Sequence, residues 1–275
     1  MATRDSSSSV VRVKRLLLLG VGSVARAVRA ALPEHHAVGT TRSAPDARFG
    51  SIDPISAHDL PAVRAAAQGA SVVVSFPPDG RSDRAFADLI GGATRIAYLS
   101  STAVYPANAG DVSEATEAAP DNERARRRLE AESIWLAAGA SVLRLPAFYG
   151  PDGGLHLSVS RGTFRMPGSG ANIVSRVHVD DAARFVCGAL SAPARSMLLA
   201  GDDHPAPVAE VVTFVCALFD LPLPASVQGA DIPLSLCANR RIDSRLTQAR
   251  YGIRLAYPSY REGYRAIRAA NPSIG

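Results

Sequence analysis

The feature that most constrains this chain is the alternation of short apolar runs with helical patterns through its first half. Runs rich in leucine or β-branched residues occur at 15–20, 36–40, 47–52, 71–76, 95–100 and 141–145, and helical patterns at 24–32, 61–68, 83–90 and 122–138. Several runs are apolar on consecutive residues, as a strand must be when both faces of its sheet are covered. Strands that alternate with helices predict an α/β fold built on a doubly wound parallel sheet.

After residue 150 the rhythm changes. Residues 150–176 are rich in Gly and Ser and read as irregular. A helix at 180–190, a strand at 196–200 and a helix at 208–219 follow, then a Pro-rich stretch and a basic helix at 260–270. The expected organisation is a disordered tail (1–12), a nucleotide-binding domain (13–149) and a smaller substrate lobe (150–275), with 177–203 returning to the first core. The lobe is expected over the carboxyl edge of the sheet, where ligands bind in such folds. A length of 275 residues is enough for one large domain with such a lobe.

The net charge of +5 comes almost wholly from arginine, spread along the whole chain. A nucleic-acid protein gathers its charge on one face. The densest cluster, Arg124, Arg126, Arg127 and Arg128, interleaves with Glu123, Glu130 and Glu132, the pattern of a solvated helix face. No nucleic-acid partner is read from it. Cys187, Cys216 and Cys237 are odd in number and lack metal spacing, and two of them sit in apolar helical stretches, so reduced thiols in a cytoplasmic protein are expected. The apolar run at 16–19 is too short for a secretory core or a membrane span. His35 and His36 read as a loop with no further ligand at metal spacing.

The first run leads directly into Gly20-Val-Gly-Ser-Val-Ala25, which opens a helix. This is the dinucleotide-phosphate fingerprint with alanine at its third position. Gly20 permits the tight turn, Gly22 lets a pyrophosphate approach the backbone, and Ala25 keeps helix and strand close. Ser23 and Val24 complete the phosphate-facing turn. The second run ends in Thr40-Thr41-Arg42, with no acid where NAD binders hold the ribose hydroxyls. Thr41 and Arg42 suit a 2′-phosphate, so NADP is the expected cofactor, with NAD as the alternative. Asp53, read as following the third strand, is placed to accept from the adenine amino group. Phe76 and Pro77, ending the fourth run, are assigned to the same site.

The fifth run ends in Tyr98-Leu-Ser100-Ser101-Thr-Ala-Val-Tyr105, which places hydroxyls where a nicotinamide would lie. Further on come Leu143-Arg-Leu-Pro146-Ala-Phe-Tyr149-Gly and Ser175-Arg-Val-His178-Val-Asp180-Asp181. With these motifs in this order the sequence resembles the extended short-chain dehydrogenase/reductase superfamily, the NAD-dependent epimerase/dehydratase group. The resemblance runs from Arg15 to about Ile267, and its late part includes segment 238–263. It implies a Rossmann fold and a small-molecule substrate, and dimers through a helical face are common in that superfamily. Ser101 takes the position whose hydroxyl orients the substrate oxygen, with Ser100 beside it. Pro146 takes the segment that lines the nicotinamide. His178 and Asp180 match a framework element.

One departure is clear. The superfamily's Tyr-x-x-x-Lys pair should fall within 122–132, yet the chain has a single lysine, Lys14, just before the first strand. Anchoring on Glu132 puts Arg124 and Arg128 at the two positions; anchoring on Glu130 puts Asn122 and Arg126 there. An arginine such as Arg128 can hold a ribose, but a guanidinium keeps its proton and cannot act as the acid. Tyr105 and Tyr149, on loops expected to border the site, are the candidate replacements. The resulting expectation is an NADP-dependent oxidoreductase or epimerase-like enzyme with a non-standard proton donor. The alternatives are a redox-silent dinucleotide-binding sensor and a non-redox isomerase, cyclase or lyase in the same pocket.

Overall fold

A computed structural model describes residues 14–228 and 237–271; the expected tail at 1–12 lies outside the described residues. The first half contains β1 (Lys14–Leu19), α1 (Ser23–Ala31), β2 (His35–Thr41), β3 (Asp53–Ser56), α2 (Leu60–Ala67), β4 (Ser71–Val74), α3 (Arg81–Leu89), β5 (Arg95–Ser101), β6 (Gly110–Val112) and α4 (Glu123–Ala137). Then follow β7 (Ser141–Leu145), β8 (Ala147–Tyr149), α5 (Leu155–Ser160), β9 (Met166–Pro167), β10 (Ile173–Val174), β11 (Arg176–His178), α6 (Val179–Ser191) and β12 (Met197–Leu199). The chain continues through β13 (Ala206–Pro207), α7 (Val208–Phe219), β14 (Ser226–Val227), β15 (Arg240–Ile242), α8 (Arg245–Tyr251) and α9 (Tyr260–Ala270).

Seven strands form one sheet in the order β12-β7-β5-β4-β1-β2-β3, and every neighbouring pair is parallel. The consecutive leucines of β1 explain why both sides are covered. Leu16 and Leu18 pack with Val24 and Val28 of α1 and with Phe185 and Val186 of α6. Leu17 and Leu19 face the other way, into a cluster with Val63, Phe86 and Trp135 of α2, α3 and α4. The strand order reverses between β1 and β4, so a crevice opens at their carboxyl ends, the switch point at which doubly wound sheets bind ligands.

The third strand differs from expectation. The 47–52 run is not a strand: Ala47–Phe49 is a 3₁₀ turn, capped by the Asp46 carboxylate accepting from the Arg48 amide at 2.9 Å. Gly50, at φ 48°, turns the chain again, and pairing begins only at Asp53. Pro54 hides this strand from sequence reading, because proline is tolerated only where a ladder donor is not needed, as on an edge.

Beyond residue 150 the chain is more structured than its Gly and Ser content implies, since 150–176 contains α5, β9 and β10. A four-stranded sheet, β13-β10-β15-β6, joins this half to β6 of the first. Helices α7 and α9 bury Val211, Val215, Phe219, Tyr264 and Ile267 together with Tyr149. Helix α6 packs on α1, and β12 pairs with β7 in the central sheet. No helix among the described residues is long and apolar enough to cross a membrane. All three cysteines are free thiols, Cys216 buried and Cys237 exposed.

Candidate active site

The turn after β1 is shaped by side chains from its two neighbouring strands. The Gly20 amide donates to Thr40 Oγ1 at 2.9 Å, and Ser75 Oγ donates to the Gly20 carbonyl at 2.8 Å. Gly20 has φ +92°, and a Cβ there would meet the Phe76 amide nitrogen at 3.2 Å. Only glycine takes that backbone without strain. Gly22 is the residue before α1, and a Cβ placed on it would meet nothing within 4 Å. It makes no side-chain cap, and the first turn of α1 carries no acid. The helix therefore presents amide donors and the positive end of its dipole to open space. Ser23 is half-buried, while Val24 and Ala25 are buried against the sheet. Such a turn fits a pyrophosphate.

Residues at the end of β2 frame the same crevice. Thr41 is closed into a local turn, its hydroxyl donating to the Ser43 carbonyl at 2.8 Å, and Arg42 is exposed. Burial, the largest single influence on Asp79, pushes its carboxyl up, but hydrogen bonds from Ser82 and Arg81 and the positive field of Arg42 together hold it below its usual range. Asp53 lies elsewhere. As the first residue of β3 it pairs with Val38, in the middle of β2. Its carboxylate is bound to His36 Nε2 at 2.7 Å. Asp53 thus sits below the carboxyl edge, and the residue that follows the strand is Ala57. His35 and His36 belong to β2 rather than to a loop, and among the described residues no cluster of three His, Cys, Asp or Glu could hold a metal. Phe76 packs its ring against Phe86 and Trp135, and Pro77 is exposed beside it. The turn they enter is fixed from behind: Asp83 accepts from the Asp79 and Gly80 amides and from Trp135 Nε1.

Around β5 the polar side chains bind one another. Ser100 Oγ donates to Glu132 Oε1 at 2.5 Å, and the Arg144 guanidinium grips the same carboxylate at 3.0 and 2.7 Å. A third Arg144 donor reaches the Tyr105 hydroxyl at 2.9 Å. Glu132 is 1% exposed. A pair this deeply buried holds only because each partner neutralises the other, and removing one partner costs about 3–5 kcal/mol. Sequence reading missed this pair. Its signal was Arg144, a charge within a strand whose neighbours Leu143 and Leu145 are buried, which demands a counter-charge.

Ser101 points away from that network. It is half-buried, and its Oγ accepts from the Ala103 amide at 3.1 Å, capping the turn Thr102–Val104. Arg128 lies on the inner side of α4 and donates through Nη1 to the Leu99 carbonyl at 3.1 Å and the Tyr98 hydroxyl at 3.4 Å. Arg124 and Arg126 are exposed, and it is Arg128 that reaches the end of β5. Burial pushes the Tyr98 phenol up to about 12 despite Arg128. Pro146 is buried between β7 and β8, with Phe148 47% exposed beyond it.

The two tyrosines expected to supply an acid are both committed elsewhere. Tyr105 is 1% exposed, packed with Val104, Val112, Leu199 and Ile242, and held by Arg144. Tyr149 is 3% exposed, stacked on Tyr264 at 4.5 Å and edge-on to His178 at 5.3 Å. Burial, reinforced by the Asp202 charge, drives its phenol far above the ordinary tyrosine range. His178 is buried, accepts from the Asp180 amide at 3.2 Å and is pushed towards the neutral form by burial.

No family model matches the chain. Among curated proteins, 3-diazoavenalumate denitrifying reductase of a Streptomyces species is 32% identical over 138 residues, 44% of this chain and 45% of that protein, so the match spans under half of either. A functionally unknown conserved protein from Silicibacter pomeroyi superposes with TM-score 0.79 at 29% identity, over 94% of this chain and 99% of that one. MoeE5, solved with UDP-glucuronic acid and NAD, gives 0.78 at 22%, over 94% and 99%. The dTDP-glucose 4,6-dehydratase DesIV of Streptomyces venezuelae, solved with NAD, gives 0.77 at 17%, over 94% and 97%. The chain thus shares the Rossmann-like α/β fold of these structures over almost its whole length.

Proposed function

We propose that this chain is a nicotinamide-dinucleotide-dependent oxidoreductase or epimerase-type enzyme acting on a small metabolite, with NADP preferred over NAD. The observation that carries the reading is the turn from Gly20 to Ala25, where neighbouring side chains fix a glycine at positive φ and leave the amino end of α1 open. The likeness to structures solved with NAD and the partial identity to a reductase support the same reading. A bound nicotinamide would supply the hydride. Amides at the start of α1 would hold the pyrophosphate, Arg42 a 2′-phosphate, and Arg128 the nearby ribose through donors that its bonds to β5 leave over. Ser101 would direct its hydroxyl to the substrate oxygen, since Ser100 is consumed by Glu132.

Purified protein should oxidise NADPH against some member of a panel of ketones, imines and nucleotide sugars. Ser101→Ala should lower that turnover about 100-fold, the low end of what a positioned proton-handling group contributes, with NADPH affinity unchanged. Arg42→Ala should cost NADPH about tenfold in affinity, a loss of about 1.4 kcal/mol, and leave NADH unaffected. The commitment of both Tyr105 and Tyr149 favours one second reading, a dinucleotide-binding protein that carries out no redox step. Tight NADPH binding with a silent panel would establish that reading and sink the first.

A further inference from the structure

A cleft of about 490 Å³ lies between the start of α1 and the turn that follows β8. Ser23 and Arg26 line it from α1, Phe148 from β8, and Pro151 and Asp152 from the turn. The cleft therefore runs past the first residue of α1, where the uncapped amides are. Among the described residues, Arg26 is the one cation in this lining.

Two features aim Arg26 at those amides. Helical side chains lean toward the amino end of their helix, and residues three apart share a face, so the Arg26 stem lies over the turn that Ser23 begins. Its outer end is held from across the cleft, where Nη2 donates to Asp152 Oδ2 at 2.6 Å. Asp152 is carried on a closed turn: the Gly150 and Gly153 amides donate to each other's carbonyls at 2.8 and 3.2 Å, and the ring of Pro151 locks its φ. The Arg26 side chain is 25% exposed against 70% for Asp152, so the cation is the member of the pair that is sunk into the cleft. On the opposite flank the Asp46 carboxyl, held far below its usual range chiefly by hydrogen bonds from Arg48, also feels the Arg26 charge. The remaining acid of the lining, Asp180, lies 3.5 Å from His178 Nδ1.

A guanidinium carries five N–H donors in a rigid fork that matches phosphate oxygens. Arg26 spends one of them on Asp152, and the others have no partner among the described residues. Arg29, one turn further on, is spent at the far end of the helix, where it donates to the Leu32 and Ser51 carbonyls at 3.2 and 3.4 Å. We propose that Arg26 is the side chain that holds the pyrophosphate of the dinucleotide, and that Asp152 is the positioning residue that fixes its guanidinium there from the second lobe. This assignment rests on the dinucleotide reading and adds to it a charge that serves NAD and NADP alike, whereas Arg42 answers only to a 2′-phosphate.

Calorimetric titration of NADPH, NADH and ADP-ribose into the full chain tests it, since all three share the pyrophosphate and the last lacks the nicotinamide. Arg26→Ala should weaken all three by the same factor, about tenfold or more, the scale of one hydrogen bond to a charged group. Arg26→Lys keeps the charge without the fork and should recover part of the loss. Asp152→Ala should weaken all three about threefold, because an untethered side chain must then be immobilised on binding. In the Arg26→Ala background the same change should have no further effect. Melting temperatures of the variants without nucleotide should match the native one, since an exposed ion pair contributes little to stability. The proposal is overturned if Arg26→Ala binds all three ligands unchanged, if its loss is confined to NADPH, or if the loss follows a lowered melting temperature. It is equally overturned if Asp152→Ala fails to weaken binding, or weakens it as much without Arg26. A native chain that bound none of the three would overturn the dinucleotide reading and this assignment together; native binding with any of the former results would overturn the assignment alone.

Discussion

The carboxyl edge of the sheet is built in two opposite ways. Over β1 and α1 the site is backbone: two glycines, uncapped amides and space that a side chain would fill. Over β5 and β7 it is side chain: Ser100, Glu132, Arg144 and Tyr105 bind one another until little is left over. The first region is prepared for something that arrives, and the second is already satisfied. Polar residues beside a crevice therefore do not by themselves make a reactive site. What counts is which donors and acceptors remain unspent, and at β5 the half-buried Ser101 is the hydroxyl turned away from the network.

The strongest way to break this contrast is to unbalance the satisfied side. Glu132→Ala leaves the Arg144 guanidinium buried and unmatched, and should cost about 3–5 kcal/mol in urea unfolding, while Glu132→Ala with Arg144→Met should recover much of that loss. If the single variant lost under 1 kcal/mol, the two sides would not differ as described.

Asp202 sharpens the comparison with the opposite sign, because it is a buried carboxyl without an ion pair. Its folded value of about 7 stands above the unfolded one of 3.8. Its contribution to stability is thus fully present at acid pH and lost as pH rises through about 7. Asp202→Asn should accordingly stabilise the protein by on the order of 2–4 kcal/mol at pH 8 relative to its effect at pH 4, as thermal melts at the two pH values would read.

On the open side, a Cβ placed on Gly22 meets no protein atom within 4 Å, so Gly22→Ala should move the melting temperature little while NADPH affinity falls about tenfold or more, about 1.4 kcal/mol. A fluorescence titration would show it. Unchanged affinity would mean that the space before α1 is not where a phosphate comes. The smallest effect expected is that of Tyr105→Phe. It strips one acceptor from Arg144 and should cost about 1 kcal/mol, with turnover within twofold of native. A collapse of turnover would return Tyr105 to the chemistry.

Much of the fold was legible because a parallel strand covered on both sides writes itself as consecutive apolar residues; β1, β4 and β7 are such strands. The third strand was not, since the 47–52 run carries apolar residues that fold into a turn and the true strand carries Pro54. Of the two- and three-residue strands of the second half only β12 was read, at 196–200; the others were unreadable, as their pairing depends on partners far away in sequence, such as Arg240 opposite Gly110. In the candidate site, Gly20, Gly22 and Ala25 could be read from spacing alone. The Arg144–Glu132 pair could have been inferred from a charge in an apolar strand. Asp202 could not, because Gly-Asp-Asp-His reads as any exposed turn, and only packing reveals that the first of the two acids is enclosed.

Lys14, the chain's single lysine, begins β1 at the edge opposite the crevice, exposed and 3.7 Å from Glu34. Five residues of strand, about 16 Å, separate it from Leu19 at the other end. No lysine amine therefore borders the carboxyl edge of the sheet. An aldehyde or ketone resting there meets guanidinium and hydroxyl groups but no lysine able to condense with it. Reactive carbonyl compounds could reside beside Ser101 without being captured by a lysine as Schiff bases, and a label on the lysine side chain would sit at Lys14, on the far side of the sheet.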